Sequence, residues 1–259
     1  MKFLLNVGAE KAGTTWLYEY FRSHPNFHDV GKELNVLQRD DLVPTSPMVT
    51  SSFKKDLDEY FDYFQRLGEV SGDFTHYEGS TQNVLRILRD GFTKRNIDVV
   101  PVYIMRDPIK RAWSAWNMLN GGDNFSMAHP AFVLVNNWLQ CKYKETVSAL
   151  DQLFDDPLYF FYEDFFDQRN LDTVCSRLDI PKHNADVTRL VNKGRYDTDI
   201  PDEFISKFCL NDKNLAAVEF VFERFTNVPW KLTDYQTVSS NRTAPPVSTR
   251  PPFFAGHQT

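Results

Sequence analysis

The eight residues from Gly8 to Thr15, GAEKAGTT, constrain the fold more than any other segment of this sequence. The apolar run from Lys2 to Val7 before them has the composition of a short buried strand, and the aromatic and aliphatic residues after them repeat at helical spacing. A glycine-bounded loop between a strand and a helix directs backbone amides and a helix N-terminus toward one point, which suits an anion. The segment therefore predicts a phosphate-binding loop in an α/β fold.

The position of the lysine separates this loop from a Walker A loop. The glycine spacing is the same, but Thr14 stands where the Walker motif has its lysine, and Lys11 lies inside the loop. From there we expect Lys11 to reach an anhydride, while Thr14 and Thr15 donate hydroxyl hydrogen bonds. An ordinary glycine turn and a kinase-like loop are the alternatives that these residues leave open.

A second candidate anion site follows an apolar strand predicted at 99–105. Arg106 comes directly after this strand, at the end where ligands of open α/β sheets gather. Asp107 and Pro108 predict a helix cap and a first helical residue. Ser114 lies two turns into that helix, on a face that can point back toward Arg106. A guanidinium and a hydroxyl together suit a phosphate monoester, whereas a salt bridge at the sheet edge is the structural alternative for the arginine.

Alternating strand and helix patterns predict the rest of the fold. We expect an α/β, P-loop-type three-layer sandwich, in which a central, mainly parallel sheet is flanked by helices. Residues 1–237 are expected to form one domain, and residues 238–259, rich in proline, serine and threonine, a flexible tail. Further strands are expected at 68–73 and 158–162, and helices at 14–23, 51–64, 84–88, 107–119, 132–153, 171–178 and 202–225.

Charge and cysteine content narrow the range of functions. A formal net charge of −6 disfavours sequence-independent nucleic-acid binding, which depends on clustered lysine and arginine. Three scattered cysteines without a CxxC pair indicate a reducing compartment, and neither a disulfide framework nor a zinc site. No apolar stretch has the length of a secretory signal or a membrane span. We therefore expect a cytoplasmic protein without stable membrane insertion and without a bound metal, and its oligomeric state stays open.

The segment KAGTTWLYEYFRSHP resembles the 5′-phosphosulfate loop and first helix of sulfotransferases that use 3′-phosphoadenosine-5′-phosphosulfate (PAPS). The resemblance implies that Lys11 also stabilises charge at the bridging oxygen of the donor. It places Trp16 near the nucleotide, although a core position is equally compatible with its spacing. The residues implied to bind the donor here are Lys11, Ala12, Gly13, Thr14, Thr15 and Trp16.

Two later segments resemble the part of that family's site that holds the 3′-phosphate. RDPIKRAWS is similar to the family motif in which Arg106 and Ser114 are the ligands, while Arg111 is a candidate for a structural role. NKGR resembles the basic loop that closes over the 3′-phosphate, and an exposed basic turn is its alternative. The residues of that loop implied to bind the nucleotide are Lys193, Gly194 and Arg195.

Two residues are candidates for the base that takes the acceptor proton. Lys32-Glu33 resembles the place after the first helix where heparan sulfate 3-O- and N-sulfotransferases carry a glutamate base, and the motif layout is closest to that group. His76 is the rival, since cytosolic small-molecule sulfotransferases use a histidine base at the carboxyl edge of the sheet. Of the two, Glu33 is preferred, and we expect Lys32, Glu33 and His76 also to contact the acceptor.

Together these patterns predict an enzyme that moves the sulfuryl group of PAPS to a hydroxyl or amine of a glycan or small-molecule acceptor. The transfer is expected to be in line, with a carboxylate base and no metal, and to leave 3′-phosphoadenosine-5′-phosphate (PAP). The residues also leave open a P-loop kinase and a non-catalytic module that binds PAP or PAPS.

Overall fold

Four parallel strands form one sheet in the computed structural model, which describes residues 1–32, 34, 57–78, 82–120, 135, 141–186, 199–209, 212–231 and 235. The spatial order of the strands is β2-β1-β3-β4, so the first strand of the chain lies inside the sheet. The strands are β1 (Lys2–Gly8), β2 (Ser71–Asp73), β3 (Asp98–Met105) and β4 (Leu158–Phe161).

Helices connect the strands, as parallel pairing requires. None of those in the described ranges is long and apolar enough to cross a membrane. Within these ranges the helices are α1 (Thr14–Arg22), α2 (Leu57–Leu67), α3 (Gln82–Thr93), α4 (Pro108–Asn120), α5 (Tyr143–Leu153), α6 (Tyr162–Phe165), α7 (Gln168–Arg177), α8 (Asp202–Cys209) and α9 (Asp212–Arg224).

The burial of the central strands shows that both faces of the sheet are covered. Every residue of β1 from Phe3 onward is buried, and so is every residue of β3 from Val100 onward. Because successive side chains of a strand point to opposite faces, continuous burial means that helices or loops pack on each face. The predicted fold class, an α/β protein with a parallel sheet flanked by helices, is thus confirmed.

Aromatic rings fill the contact between the sheet and the helices α2 and α3. The ring of Phe3 lies 4.2 Å from that of Phe92 and 4.7 Å from that of Phe64. Phe61 packs edge to face on Phe92, with the ring centroids 4.9 Å apart. A Cβ atom at Gly91 would lie 2.2 Å from the Phe61 ring, so the close approach of α2 and α3 requires a glycine there.

Strand register brings the carboxyl ends of the four strands to one edge of the sheet. Leu5 of β1 pairs with Asp73 of β2, and Met105 of β3 pairs with Phe161 of β4. The segments that follow these strands therefore leave from the same edge. Each of the candidate anion-binding segments in the described part of the chain begins there.

Two segments predicted as long helices compare differently with the structure. Over 202–225 the structure describes two helices, α8 and α9, and residues 210 and 211 between them lie outside the described part. The prediction of one helix over 132–153 is wrong, because it is not continuous. The backbone N–H of Cys141 donates 3.2 Å to the side chain of Asn214 instead of to a helical carbonyl, and α5 begins only at Tyr143. The predicted helix start at 51–56 and the predicted tail lie outside the described residues.

Candidate functional site

Two arginines hold the loop between β1 and α1 through its carbonyl groups. Nη1 of Arg106 donates 2.7 Å to the carbonyl oxygen of Lys11, and Nε of Arg111 donates 2.8 Å to that of Glu10. Arg106 directly follows β3, and Arg111 lies in the first turns of α4. The loop is therefore fastened to the next strand of the sheet and to the helix that follows it.

Two loop residues adopt left-handed backbone conformations. Lys11 has φ 63°, and Gly13, the N-cap of α1, has φ 84° and ψ 10°. A Cβ atom at Gly13 would lie 3.1 Å from Phe166 and 3.2 Å from Tyr162, so the position is crowded as well as left-handed. The left-handed region costs a non-glycine residue about 1–2 kcal/mol, which the contacts around Lys11 must offset.

The N-terminus of α1 offers unpaired backbone donors. Thr14 and Thr15 are the first two residues of this nine-residue helix, and N–H groups at that position have no intrahelical acceptor. Gly13 provides no side-chain cap, and the first turn contains no acidic residue. These donors and the positive end of the helix dipole form a setting that favours an anion.

Three cationic side chains lie near one another around the loop and this helix end. Nζ of Lys32 donates 2.8 Å to the hydroxyl oxygen of Thr15, and Arg106 bonds the backbone of Lys11. Burial lowers the pKa of Lys11, Glu10 opposes this shift, and the charges of Arg106 and Lys32 lower the pKa further. The mutual repulsion of these cations means that an anion bound among them would be strongly favoured.

His76 lies beside the same helix end. Its Nε2 is 3.0 Å from the hydroxyl oxygen of Thr14, and which atom donates depends on the tautomer of the ring. His76 follows β2, and so it comes from the carboxyl edge of the sheet. The loop, the start of α1 and the segment after β2 thus meet at one place.

Arg106 is only partly satisfied by its neighbours. Its guanidinium carbon lies 4.2 Å from the ring centroid of Tyr162, a cation–π contact. Its Nε is buried and has no hydrogen-bond partner among the described residues. The remaining donors of Arg106 can serve a ligand oxygen.

Ser114, the second residue predicted for this site, is half-buried in α4. The predicted cap of this helix is present, since the N–H of Lys110 donates 3.0 Å to the Asp107 carboxylate.

Arg111 forms a buried ion pair beneath the loop. Its side chain is 2% exposed and that of Glu78 is 7% exposed. Nη1 donates 2.8 Å to Glu78, Nη2 bonds the second carboxylate oxygen, and Tyr103 donates 2.9 Å to the same carboxylate. Burial disfavours the charged form of Arg111, but the Glu78 carboxylate and smaller nearby contributions raise its pKa above the ordinary value. Sequence reasoning gave Arg111 a possible structural role and missed Glu78, since nothing local links two residues 33 positions apart.

Other predicted residues lie elsewhere or outside the described chain. Trp16 is 6% exposed and packs edge-on against Phe165 and Phe166, with centroids 5.8 and 5.1 Å away, so it is part of the core. Its contact with a nucleotide stays a prediction. Ala12 is fully buried and can offer only its backbone. The residues that lie outside the described part are Glu33, Lys193, Gly194 and Arg195.

The chain is similar to solved structures of sulfotransferases. One from Alicyclobacillus acidocaldarius matches over 86% of this chain and 96% of its own, with a TM-score of 0.61 and 18% sequence identity. The sulfotransferase domain from the curacin biosynthetic pathway covers 93% of this chain and 96% of its own, at 14% identity and a TM-score of 0.45. Mouse sulfotransferase SULT7A1 complexed with PAP covers 88% and 68%, at 17% identity and a TM-score of 0.40.

Comparison at the level of sequence finds no relatives. No protein-family model matches the chain, and no curated protein is similar to it. The match to the bacterial structure rests on the fold, since 18% identity is low. The chain therefore shares the fold of a sulfotransferase, as its motifs predicted.

Proposed function

We propose that this chain is a sulfotransferase that uses PAPS and modifies a hydroxyl or amine of a glycan or small-molecule acceptor. The grouping of Lys11, Lys32 and Arg106 around the loop that precedes α1 carries the proposal. An arrangement of this kind suits a ligand with several negative charges. The shared fold with a bacterial sulfotransferase supports the same conclusion.

The donor nucleotide fits the charges of this site. Neither Lys11 nor Arg106 forms an ion pair with a carboxylate in the described part of the chain, and the Lys11 ammonium donates to the sulfur of Met118 at 3.3 Å. A thioether is a weak acceptor, so the ammonium retains most of its capacity for an anion. Lys11, Lys32 and the amides of α1 would hold the 5′-phosphosulfate, and Arg106 with Ser114 the 3′-phosphate.

In the proposed reaction the protein itself forms no covalent bond to the transferred group. PAPS supplies the sulfuryl group, so the bond from sulfur to the bridging oxygen breaks, a bond from sulfur to the acceptor forms, and PAP leaves. By analogy with phosphoryl transfer, the task of the protein is positioning and charge stabilisation. The Lys11 ammonium would neutralise the charge that develops on the bridging oxygen, and the hydroxyls of Thr14 and Thr15 would orient the donor.

His76 and Glu33 are both proposed as candidates for the acceptor's base. The distance of 3.0 Å between His76 and Thr14 supports His76, because the imidazole lies next to the proposed donor site. To accept a proton, its Nε2 must carry a lone pair, which requires the neutral tautomer protonated at Nδ1. Glu33 follows Lys32, which contacts Thr15, and rests on the resemblance to heparan sulfate sulfotransferases.

A thermal-shift titration with PAP tests the donor site. A ligand that binds only the folded state stabilises it by about 2.7 kcal/mol at a hundred-fold excess over Kd. We expect a rise in Tm with PAP without added metal, and loss of that rise in Lys11→Ala and Arg106→Ala. Lys94→Ala is the matched control, since Lys94 is an exposed cation just before the amino end of β3, at the opposite edge of the sheet.

The same titration, together with a turnover assay, separates the proposed sulfotransferase from a kinase and from a non-catalytic binding module. A rise with ATP that needs magnesium, without one with PAP, would identify a kinase instead. A rise with PAP but no formation of PAP from PAPS across a panel of hydroxyl and amine acceptors would favour a non-catalytic binding module. Formation of PAP together with a sulfated product establishes the transferase.

A further inference from the structure

The two peptide groups on either side of the Lys11 Cα atom are both held by guanidinium groups. The carbonyl of Glu10 belongs to the peptide before that atom and accepts from Arg111 at 2.8 Å. The carbonyl of Lys11 belongs to the peptide after it and accepts from Arg106 at 2.7 Å. The angles φ and ψ of Lys11 describe the rotation of these two peptide planes, so the two contacts together fix both angles.

Lys11 needs such a constraint more than its neighbours do. Its φ of 63° lies in the left-handed region, which a side chain with a Cβ atom rarely adopts. A residue keeps such a conformation only where its surroundings over-determine it, and this occurs mostly at functional sites. In a trans peptide the carbonyl and the N–H point in opposite directions, so the hold on Glu10 turns the Lys11 N–H away from the buried Arg111.

The structure assigns Arg111, fixed by Glu78, a positioning role: it acts with Arg106 as a clamp that holds Lys11 of the anion-binding loop in its left-handed conformation. Arg111 uses Nη1 and Nη2 for Glu78 and keeps Nε for the loop. Only a guanidinium has this fork of donors, and lysine offers a single nitrogen. Arginine is therefore the residue type that can bond Glu78 and the loop carbonyl at the same time from this position.

The buried pair explains why the clamp is rigid. Glu78 accepts from both terminal nitrogens of Arg111 and from Tyr103, and the guanidinium of Arg111 also lies 5.5 Å from the ring centroid of Tyr143. Buried ion pairs can often be replaced by apolar residues of similar volume without loss of stability. The hold on the loop, rather than a contribution to stability, is therefore the role that we infer for a polar pair directly beneath it.

The test compares variants that remove the clamp with one that removes a similar arginine elsewhere. The double variant Arg111→Met with Glu78→Met replaces the pair by apolar side chains, and Arg111→Lys keeps a cation beside Glu78 but loses the fork. Arg95→Met is the control, because Arg95, like Arg111, bonds both carboxylate and backbone carbonyl oxygens. Its partners are the carboxylates of Asp58 and Asp62 and the carbonyls of Gly91 and Asp58. Arg95 links α2 and α3, which lie away from the loop.

Hydrogen exchange of residues 9–15 without ligand and calorimetric titration with PAP are measured on each variant. We expect faster exchange in the loop and PAP binding weakened by about 10- to 100-fold in the double variant and in Arg111→Lys. Arg95→Met should lower Tm and leave both readouts unchanged. If the double variant does not fold, Arg111→Lys supplies the same comparison.

The two readouts distinguish failure of this inference from failure of the proposed function, on which the choice of PAP as ligand rests. Unchanged loop exchange and unchanged PAP affinity in the folded clamp variants would overturn the positioning role. A wild-type chain that does not bind PAP would overturn the proposed function. In that case, faster loop exchange in the variants would still support the clamp.

Discussion

The hydroxyl of Thr14 and the imidazole of His76 lie 3.0 Å apart, although 62 positions separate them in the chain. This contact joins the first turn of α1 to the segment after β2. A ligand held at the start of α1 would therefore lie next to an imidazole, a group that can accept or donate a proton.

The pH dependence of turnover should identify the base. A base is active only when deprotonated, so the limb on the acid side of the kcat/KM profile belongs to the base. If His76 is the base, His76→Asn abolishes this limb and lowers kcat by about 10²- to 10⁴-fold. Steady-state rates between pH 4 and 8 measure this, with Glu33→Gln as the parallel variant. Loss of the limb in Glu33→Gln alone would assign the role to Glu33.

PAP affinity should weaken at alkaline pH because of Lys11. Burial, Arg106 and Lys32 lower the pKa of this ammonium from the ordinary 10.5, against the opposing effect of Glu10. An anion binds the protonated form, so affinity is full below the Lys11 pKa and falls as pH rises through it. Calorimetric titrations between pH 7 and 10 should show this fall at a lower pH than an exposed lysine would give. Lys11→Arg should remove it, since arginine stays charged; a fall that persists in Lys11→Arg would mean another group titrates.

Gly13→Ala should raise the Kd for PAP, in addition to lowering the stability of the fold. The added Cβ would lie 3.1 Å from Phe166 in a residue whose φ is 84°, so the loop must shift at the position that caps α1. Gly68→Ala is the control, because Gly68 has φ 70° but nothing within 4 Å of an added Cβ. Both changes cost about 1–2 kcal/mol for the left-handed conformation. Only Gly13→Ala should also raise the Kd for PAP; equal affinities in the two variants would contradict the role of Gly13.

Gly91→Ala should destabilise the protein without changing its ligand affinity. A Cβ atom there would lie 2.2 Å from the ring of Phe61, which packs on Phe92 between α2 and α3. Overpacking of a well-filled core costs typically about 1–3 kcal/mol. Thermal unfolding should show a lower Tm, and PAP titration an unchanged Kd. A Tm equal to that of the wild type would mean that the two helices separate at little cost.

Features encoded by neighbouring residues could be predicted from the sequence. The strand, the glycine loop and α1 follow from apolar runs and glycine positions within a short segment, and the cap at Asp107 follows from one Asp-Pro pair. The central strands were also found, because β1 and β3 are continuous apolar runs. Periodicity alone did not reveal that the helix predicted over 132–153 begins only at Tyr143, because the backbone of Cys141 is bonded to the distant side chain of Asn214.

Contacts between segments that are far apart in the chain could not be predicted from the sequence. The spacing around Trp16 predicted a helix but could not say whether that face meets a ligand or the core, and Phe165 and Phe166 cover it. The pairing of Lys32 with Thr15 depends on how the chain returns after α1. The ion pair of Arg111 and Glu78 depends on two elements that meet only in the folded sheet.

The position of β1 inside the sheet has a consequence for how the chain is made. A ribosome releases β1 before β2 and β3, the two strands that pair with its edges in the folded sheet. Until residues 98–105 emerge, β1 has unpaired backbone on at least one edge, a state prone to wrong pairing. Folding during synthesis would then have to wait for β3, and a nascent chain that stalls before it should be a preferred client of ribosome-associated chaperones.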